Sequence, residues 1–210
     1  MFTGIIEDVG TIHRIQKQTD GMKLTIQANT ILENIHLGDS IAVNGVCLTV
    51  TSFTTSQFCV DVMDETIKRS SFTHLTNGSK VNLERAMSMQ QRFGGHIVSG
   101  HIDGIGKITQ IKKVGIAIIY TIQTSSRLTK YMIEKGSVAI DGISLTIISI
   151  SPTQFQVSII PHTITNTTMY LKKLQDNVNI EVDCIGKYIE KLLSISDDTI
   201  TKEFLIKHGF

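Results

Sequence analysis

A cysteine and a histidine stand out because each sits where the chain repeats itself and then departs from the repeat. VNGVCLTV, residues 43–50, is answered by IDGISLTI, residues 140–147, so Cys47 faces Ser144. TGII, residues 3–6, is answered by SGHI, residues 99–102, so His101 faces Ile5. Histidine is the side chain whose ordinary pKa lies near neutrality, which suits His101 to carrying a proton. Six other histidines share that chemistry, and its place in the repeat raises His101 above them. Cys47 is a nucleophile if its thiol pKa is lowered and a small apolar packing residue if it is not. Ser40, Thr49, Ser144 and Thr146 offer hydroxyls on segments read as alternating inward, able to activate a water or hold a ring oxygen; each is equally an ordinary strand residue. Glu181 and Asp183 in IEVD are two apart, hence on one strand face, either an exposed acidic face or a pair that binds hydroxyls or orients a proton relay. His96 and His101 are five apart with no third ligand at matching spacing, which argues against a metal site.

The elements that position these residues follow from the repeat. Sliding residues 40–66 by 97 gives ten identities in 27, among them Gly45/Gly142, Leu48/Leu145, Thr49/Thr146, Phe58/Phe155 and Thr66/Thr163. Average residue usage would give roughly two. The halves span about 1–86 and 98–183 and are joined by MSMQQRFGGHI, whose Gly94 and Gly95 suit a hinge. Within each half, short β-branched runs such as KLTIQA, SIAVNG, FCVDVM and KVNLER alternate with period two between Gly, Asn, Asp and Ser. Five or six such strands satisfy their edges best by closing, so the fold class is all-β: two tandem homologous Greek-key β-barrels, with an open sandwich as the competing shape. The chain divides into residues 1–97, 98–183 and a C-terminal α-helical segment over 184–210. There Ile185, Tyr188, Ile189, Leu192 and Leu193 form one apolar helical stripe, to be buried against a second copy of the chain or against its own barrel. A second helix is predicted from a cap at Ser196 or Asp197 to Gly209. TNTTMYLKKLQDNVN, residues 165–179, lacks the glycine-centred turn of NGSKVN, which leaves only the shape of that loop open.

Bulk properties narrow the function classes. A formal net charge of +1 over 210 residues and the absence of tryptophan argue against a nucleic-acid partner. Cys47, Cys59 and Cys184 form no C-x-x-C pair and are odd in number, which favours a reducing cytoplasm over a disulfide framework. The N-terminus shows no export signal, and no run of 18 apolar residues suits a membrane span. No Gly-rich nucleotide fingerprint follows any predicted strand, which argues against a flavin-dependent oxidoreductase.

MFTGIIEDVG, SIAVNGVCLTV, GGHIVSGHIDG, KGSVAIDGISLTI and VNIEVD together resemble riboflavin synthase, and the likeness covers essentially the whole chain. The resemblance implies two lumazine-binding barrels, a homotrimer, and dismutation of two 6,7-dimethyl-8-ribityllumazine molecules into riboflavin and 5-amino-6-ribitylaminouracil. It implies no metal, no redox cofactor, and a possible association with lumazine synthase. His101, Cys47, Ser40, Thr146 and Asp183 become the catalytic candidates. Gly4, Ile5, Ile6, Cys47, Leu48 and Thr49, with Gly100, His101, Ile102, Ser144, Leu145 and Thr146, become candidate substrate contacts. So do two equivalent stretches that line the slots with backbone groups: Asp61, Val62, Met63, Asp64, Glu65 and Thr66, and Ser158, Ile159, Ile160, Pro161, His162 and Thr163. On pattern alone both are strand ends running into turns. Lys135 becomes a contact at a pocket mouth, where pattern alone gives a solvated lysine. Two substrates in unlike roles, donor and acceptor, need unlike slots, and Cys47/Ser144 and His101/Ile5 are that difference. By sequence order Cys47 marks the first barrel and His101 the second. A non-catalytic lumazine- or flavin-binding relative is the alternative, and retention of both Cys47 and His101 favours the enzyme.

Overall fold

The computed structural model describes residues 1–193 together with Ile206 and Gly209. The first half closes into a six-stranded antiparallel barrel of β1 (Asp8–Gln18), β2 (Gly21–Gln27), β3 (Ser40–Val43), β4 (Val46–Phe53), β5 (Gln57–Met63) and β6 (Lys80–Arg85), in the order β1-β2-β5-β4-β3-β6. The second closes in the same cyclic order with β7 (Gly104–Val114), β8 (Ala117–Gln123), β9 (Ser137–Ile140), β10 (Ile143–Ser151), β11 (Gln154–Ile159) and β12 (Asn177–Val182). Strand register shifts between Ile12 and Arg14 and between Val50 and Ser52, and at the equivalent Ile108/Gln110 and Ile147/Ser149. Such irregularities bend and twist a strand, so both barrels turn their corners at the same places.

Branched apolar side chains fill each barrel. Val46, Leu48 and Val50 meet Leu24, Ile26 and Phe58 inside the first, and Ile143, Leu145 and Ile147 meet Ile122 and Phe155 inside the second. Alternation then puts Cys47 and Thr49 on the outer face of β4, and Ser144 and Thr146 on that of β10. The expectation that these hydroxyls turn inward is corrected, because a small barrel is packed by its own apolar side chains and leaves the alternate positions on the outer wall.

The duplicated phrase is a hairpin in each barrel. Asn44-Gly45 and Asp141-Gly142 turn with φ of 45°, 80°, 44° and 81°, the left-handed pair of a tight two-residue turn. The turns abut, since a Cβ on Gly45 would lie 2.7 Å from the Gly142 nitrogen. Buried Asn82 and Asn179 each donate from Nδ2 to the other barrel's turn, at the Asp141 and Asn44 carbonyls, 2.9 Å in both cases. Their Oδ1 atoms accept from Thr168 N at 2.7 Å and Ser71 N at 2.6 Å. Because every bond has its counterpart, the sequence repeat is a pseudo-twofold axis in space.

The loop left open by the missing glycine keeps the shape of its first-half counterpart. Gln175 stands where Gly78 does, adopts φ 74° against 89°, and its N–H reaches the Ile108 carbonyl at 2.8 Å as that of Gly78 reaches Ile12. After helices α1 (Asp64–Arg69), α2 (Ser126–Thr129) and α3 (Pro161–Thr165), helix α4 (Cys184–Leu193) follows the second barrel, tied to it by Lys187 on Asp103 at 2.9 Å and Lys130 on Glu190 at 2.6 Å. Its stripe is not covered by its own barrel, for Ile185, Ile189 and Leu192 remain more than half exposed. The helix predicted from Ser196 or Asp197 to Gly209 falls outside the described residues.

Candidate active site

A short arm precedes each barrel, and the two arms are exchanged. Phe2 and Val98 pair as an antiparallel bridge, packed between Ala42 and Ala139 where the barrels meet. Beyond this crossing each arm runs onto the other half's barrel: Ile102 packs on the first core and Ile6 on the second. The Gly100 carbonyl accepts from Cys47 N at 2.9 Å, and the Gly4 carbonyl accepts from Ser144 N at 2.8 Å. A Cβ on Gly100 would lie 2.5 Å from the Cys47 Cβ, and one on Gly4 would lie 2.6 Å from that of Ser144. With φ of 83° and 77°, both positions require glycine.

Two carboxylates hold the arms. Glu84 on β6 accepts from Thr3 N at 2.6 Å, Thr3 Oγ1 at 2.7 Å and Gly4 N at 3.0 Å. Glu181 on β12 accepts from Ser99 N and Ser99 Oγ at 2.6 Å and Gly100 N at 2.9 Å. Both are 2% exposed. Burial pushes the Glu84 carboxyl above its ordinary pKa, against the pull of the hydrogen bonds from Thr3 and Gly4. Glu181 is thus no exposed acidic face. Nor does it share a strand face with Asp183, because β12 ends at Val182 and Asp183 Oδ1 turns to accept from Ile185 N at 3.0 Å.

The exchange brings the histidine to the cysteine. A cavity of about 310 Å³ is lined by Cys47, Met63, Glu65 and Thr66, by Gly100, His101 and Ile102, and by Val46, Arg69 and Ser70. The outer face of β4 is one wall, the arm another, and helix α1 (Asp64–Arg69) the third. Arg69 Nε donates to Glu65 at 2.5 Å, so this slot carries a charge pair. The assignment of His101 to the second barrel is corrected: it belongs to the second half in sequence and to the first slot in space, because its arm crosses over.

The second slot has the same plan and other chemistry. Gly4 lies against Ser144, and helix α3 (Pro161–Thr165) stands where α1 does, with His162 and Asn166 in place of Glu65 and Arg69. Between this arm and α3 opens a cavity of about 420 Å³ lined by Ile6, Glu7, Asp8, Val9, His162, Thr165 and Asn166. Ser144 is served by a residue that sequence comparison missed. His96 Nδ1 lies 2.7 Å from Ser144 Oγ, a hydrogen bond whose direction follows the tautomer. Its Nε2 is buried and has no hydrogen-bond partner among the described residues. Burial lowers the His96 pKa below its ordinary value, opposed by the charge of Asp183. The repeat hides His96 because it lies in the junction between the halves, outside the duplicated stretches.

A pH dependence follows. Folded His96 resists protonation, so below its ordinary value of 6.5 the unfolded chain binds a proton that the folded chain does not. Unfolding free energy is therefore unaffected above that pH and falls as pH drops through it, by up to about 1.4 kcal/mol per pH unit until folded His96 titrates too. Urea melts between about pH 5 and 7.5 should show a flatter slope for His96→Gln; equal slopes would mean that His96 titrates alike in both states.

Other sequence candidates are placed differently. Leu48, Val62, Leu145 and Ile159 are core side chains and offer only backbone to a slot. Asp61 is on the outer face of β5, Asp64 opens α1, and Ser158 lies near the end of β11. Both stretches enter short helices where pattern alone gave turns, the second with Pro161 in its first turn. The Thr163 carbonyl accepts from Thr167 Oγ1 at 2.7 Å, and Ile160 is exposed. Ser40 pairs with Thr49 on the same outer face as Cys47, yet lines a separate cavity of about 320 Å³ with Arg85 and Gln91. Thr146 pairs with Ser137 at the equivalent place. Lys135 takes the position of Gly38 with φ 66°, its N–H donating to the Ile147 carbonyl at 2.8 Å.

Residues 3–86 and 99–183 each match the Lumazine binding domain family. Over the full length of both chains the sequence is 56% identical to riboflavin synthase of Actinobacillus pleuropneumoniae and 52% identical to that of Bacillus subtilis (strain 168). The chain belongs to the riboflavin synthase family. Riboflavin synthase of Saccharomyces cerevisiae (strain ATCC 204508 / S288c) is 46% identical over 97% of this chain and 91% of its own. The fold is shared with LumP, solved in complex with 6,7-dimethyl-8-(1'-D-ribityl) lumazine and with riboflavin; TM-scores are 0.78 and 0.80 at 26% identity, over 87% of this chain and 99% of LumP. As a riboflavin synthase family member the chain is an enzyme of riboflavin biosynthesis made of two lumazine-binding barrels.

Proposed function

We propose that the chain transfers a four-carbon unit between two 6,7-dimethyl-8-ribityllumazine molecules, releasing riboflavin and 5-amino-6-ribitylaminouracil. One observation carries this reading: two slots of one plan have unlike chemistry, Cys47 with His101 and the Glu65–Arg69 pair in one, Ser144 with His96 in the other, where His162 and Asn166 take the place of that pair. Proton loss from a lumazine 7-methyl group is eased by delocalisation into the pteridine, so a base of ordinary strength suffices and positioning supplies much of the rest. His101, exposed at the end of its arm, takes that proton. Cys47 forms the wall against the ring. In the second slot neutral His96 fixes the Ser144 hydroxyl toward a ring atom or a water. The free thiols of Cys47, Cys59 and Cys184 suit work in a reducing cytoplasm.

The first slot of one chain faces the second slot of a neighbour in a homotrimer, with α4 at the contact. The uncovered stripe of α4 supports this arrangement. Burying what remains exposed of Ile185, Ile189 and Leu192 contributes roughly 1 to 2 kcal/mol each, since each is already partly covered. Truncation before Cys184 is thus expected to leave the barrels folded and to shift sedimentation from assembled to single chains. Unchanged assembly would remove α4 from the contact.

Pure protein given only the lumazine, with chelator and without nicotinamide, is expected to make one riboflavin and one pyrimidine from two lumazines. Tight flavin binding without turnover would make the chain a ligand carrier instead.

A further inference from the structure

We propose that Glu84 and Glu181 are crossed positioning residues, each rooted in one barrel and fixing the arm that completes the ligand slot of the other. Glu181 stands on β12 of the second barrel, yet the arm it grips ends in Gly100 and His101, on Cys47 of the first. Glu84 stands on β6 of the first barrel and grips Thr3 and Gly4, which lie on Ser144 of the second. The inference rests on reading the two outer-face clefts as ligand slots.

The chemistry of the grip explains why carboxylates stand there. A buried carboxylate is costly unless its lone pairs are filled, and among the described residues neither has an ion-pair partner. Each instead collects two backbone N–H groups and one hydroxyl, all from its arm. An ionised carboxylate only accepts, so it fixes the direction of all three donors. Glutamine would turn an amide N–H₂ toward at least one of them and release that end of the arm. The arm matters because the next peptide carries the slot. Gly100 N donates to Glu181 while the Gly100 carbonyl accepts from Cys47 N, and His101 follows directly.

Cysteine alkylation reads this without any turnover. In the intact protein, iodoacetamide labelling followed by peptide mass spectrometry gives separate rates for Cys47 in the first slot, Cys59 on β5 of the same barrel, and Cys184, three residues from Glu181. Glu181→Gln is expected to speed Cys47 labelling about tenfold as the arm opens locally, with Cys59 unchanged. Riboflavin should protect Cys47 less well in this variant, while Glu84→Gln leaves the Cys47 rate alone. A Ser144→Cys reporter should show the reverse, faster with Glu84→Gln and indifferent to Glu181→Gln. Where a glutamine variant does not fold, Glu84→Asp or Glu181→Asp, which keeps the charge and shortens the reach, should give the same crossed pattern more weakly. Acceleration at Cys184 without Cys47 would make Glu181 a support of its own barrel and overturn the proposal. Equal response of both reporters to both variants would do so as well. Failure of the unmutated protein to make riboflavin bears on the reaction, whereas the labelling pattern bears only on the clamp.

Discussion

Co-expression of a His101→Ala chain with a His96→Ala chain is expected to recover about a quarter of unmutated turnover, whereas His101→Ala with Cys47→Ala recovers none. Loss of the proton carrier His101, or of the His96 that holds the Ser144 hydroxyl in place, lowers turnover by about a hundredfold or more, so each variant alone should be nearly inactive. In a cyclic trimer whose sites pair the first slot of one chain with the second slot of the next, a site is intact only when the former chain carries the His96 change and the latter the His101 change. Random equal mixing makes about three quarters of trimers mixed and about one site in four intact. Cys47 and His101 line one slot despite lying in different halves of the sequence, so that pair damages the same place in every chain. The two mixtures therefore separate slot membership from sequence order. Doubly tagged His101/His96 trimers no more active than their parents would place each site within one chain, and recovery in the Cys47/His101 mixture would contradict the exchanged arms.

Residues 1–97 expressed alone are expected to form a twofold dimer that binds one flavin per chain with little turnover. Alone, this half lacks Gly100, His101 and Ile102, leaving Cys47 N without its acceptor and uncovering the core beneath Ile102. Its own Thr3–Ile6 is the repeat counterpart of that missing arm, and Phe2 is the counterpart of Val98. A second copy can therefore lend its arm while receiving one, and the abutting Asn44-Gly45 turns become the true axis. The simpler expectation from sequence, a self-sufficient barrel with its own ligand site, is amended accordingly. Sedimentation with flavin titration tests it: Gly45→Leu in the fragment should give monomers that bind flavin at least about tenfold more weakly, since the turn–turn contact admits no side chain. A monomer with full flavin affinity would show that the slot needs no second arm.

What the sequence determined by itself was whatever is written in short range or in duplicate. Period-two apolar runs specify strands, Asn44-Gly45 and Asp141-Gly142 specify tight hairpins, and a repeat offset of 97 specifies two barrels of one plan. Cys47 and His101 stood out as candidates because each breaks the repeat, and both line one cavity. Tertiary structure decided which slot each residue serves. The arms cross at Phe2 and Val98, a contact 96 residues apart that no local pattern encodes, and the crossing sends His101 to the first barrel. It decided that the hydroxyls face outward, because Leu48, Phe58 and their neighbours fill the small barrel and leave the alternate positions only its outer wall. It decided that Gln175 keeps a turn written elsewhere with glycine, since the Ile108 carbonyl and the surrounding strands hold the backbone there. His96, weighed from sequence only as a metal ligand, was missed as the partner of Ser144 for a plainer reason: it lies outside the duplicated stretch, and Ser144 is 48 residues away. A repeat reports what two halves share or exchange, whereas a residue that acts once, through a long-range hydrogen bond, is found only when the chain is folded.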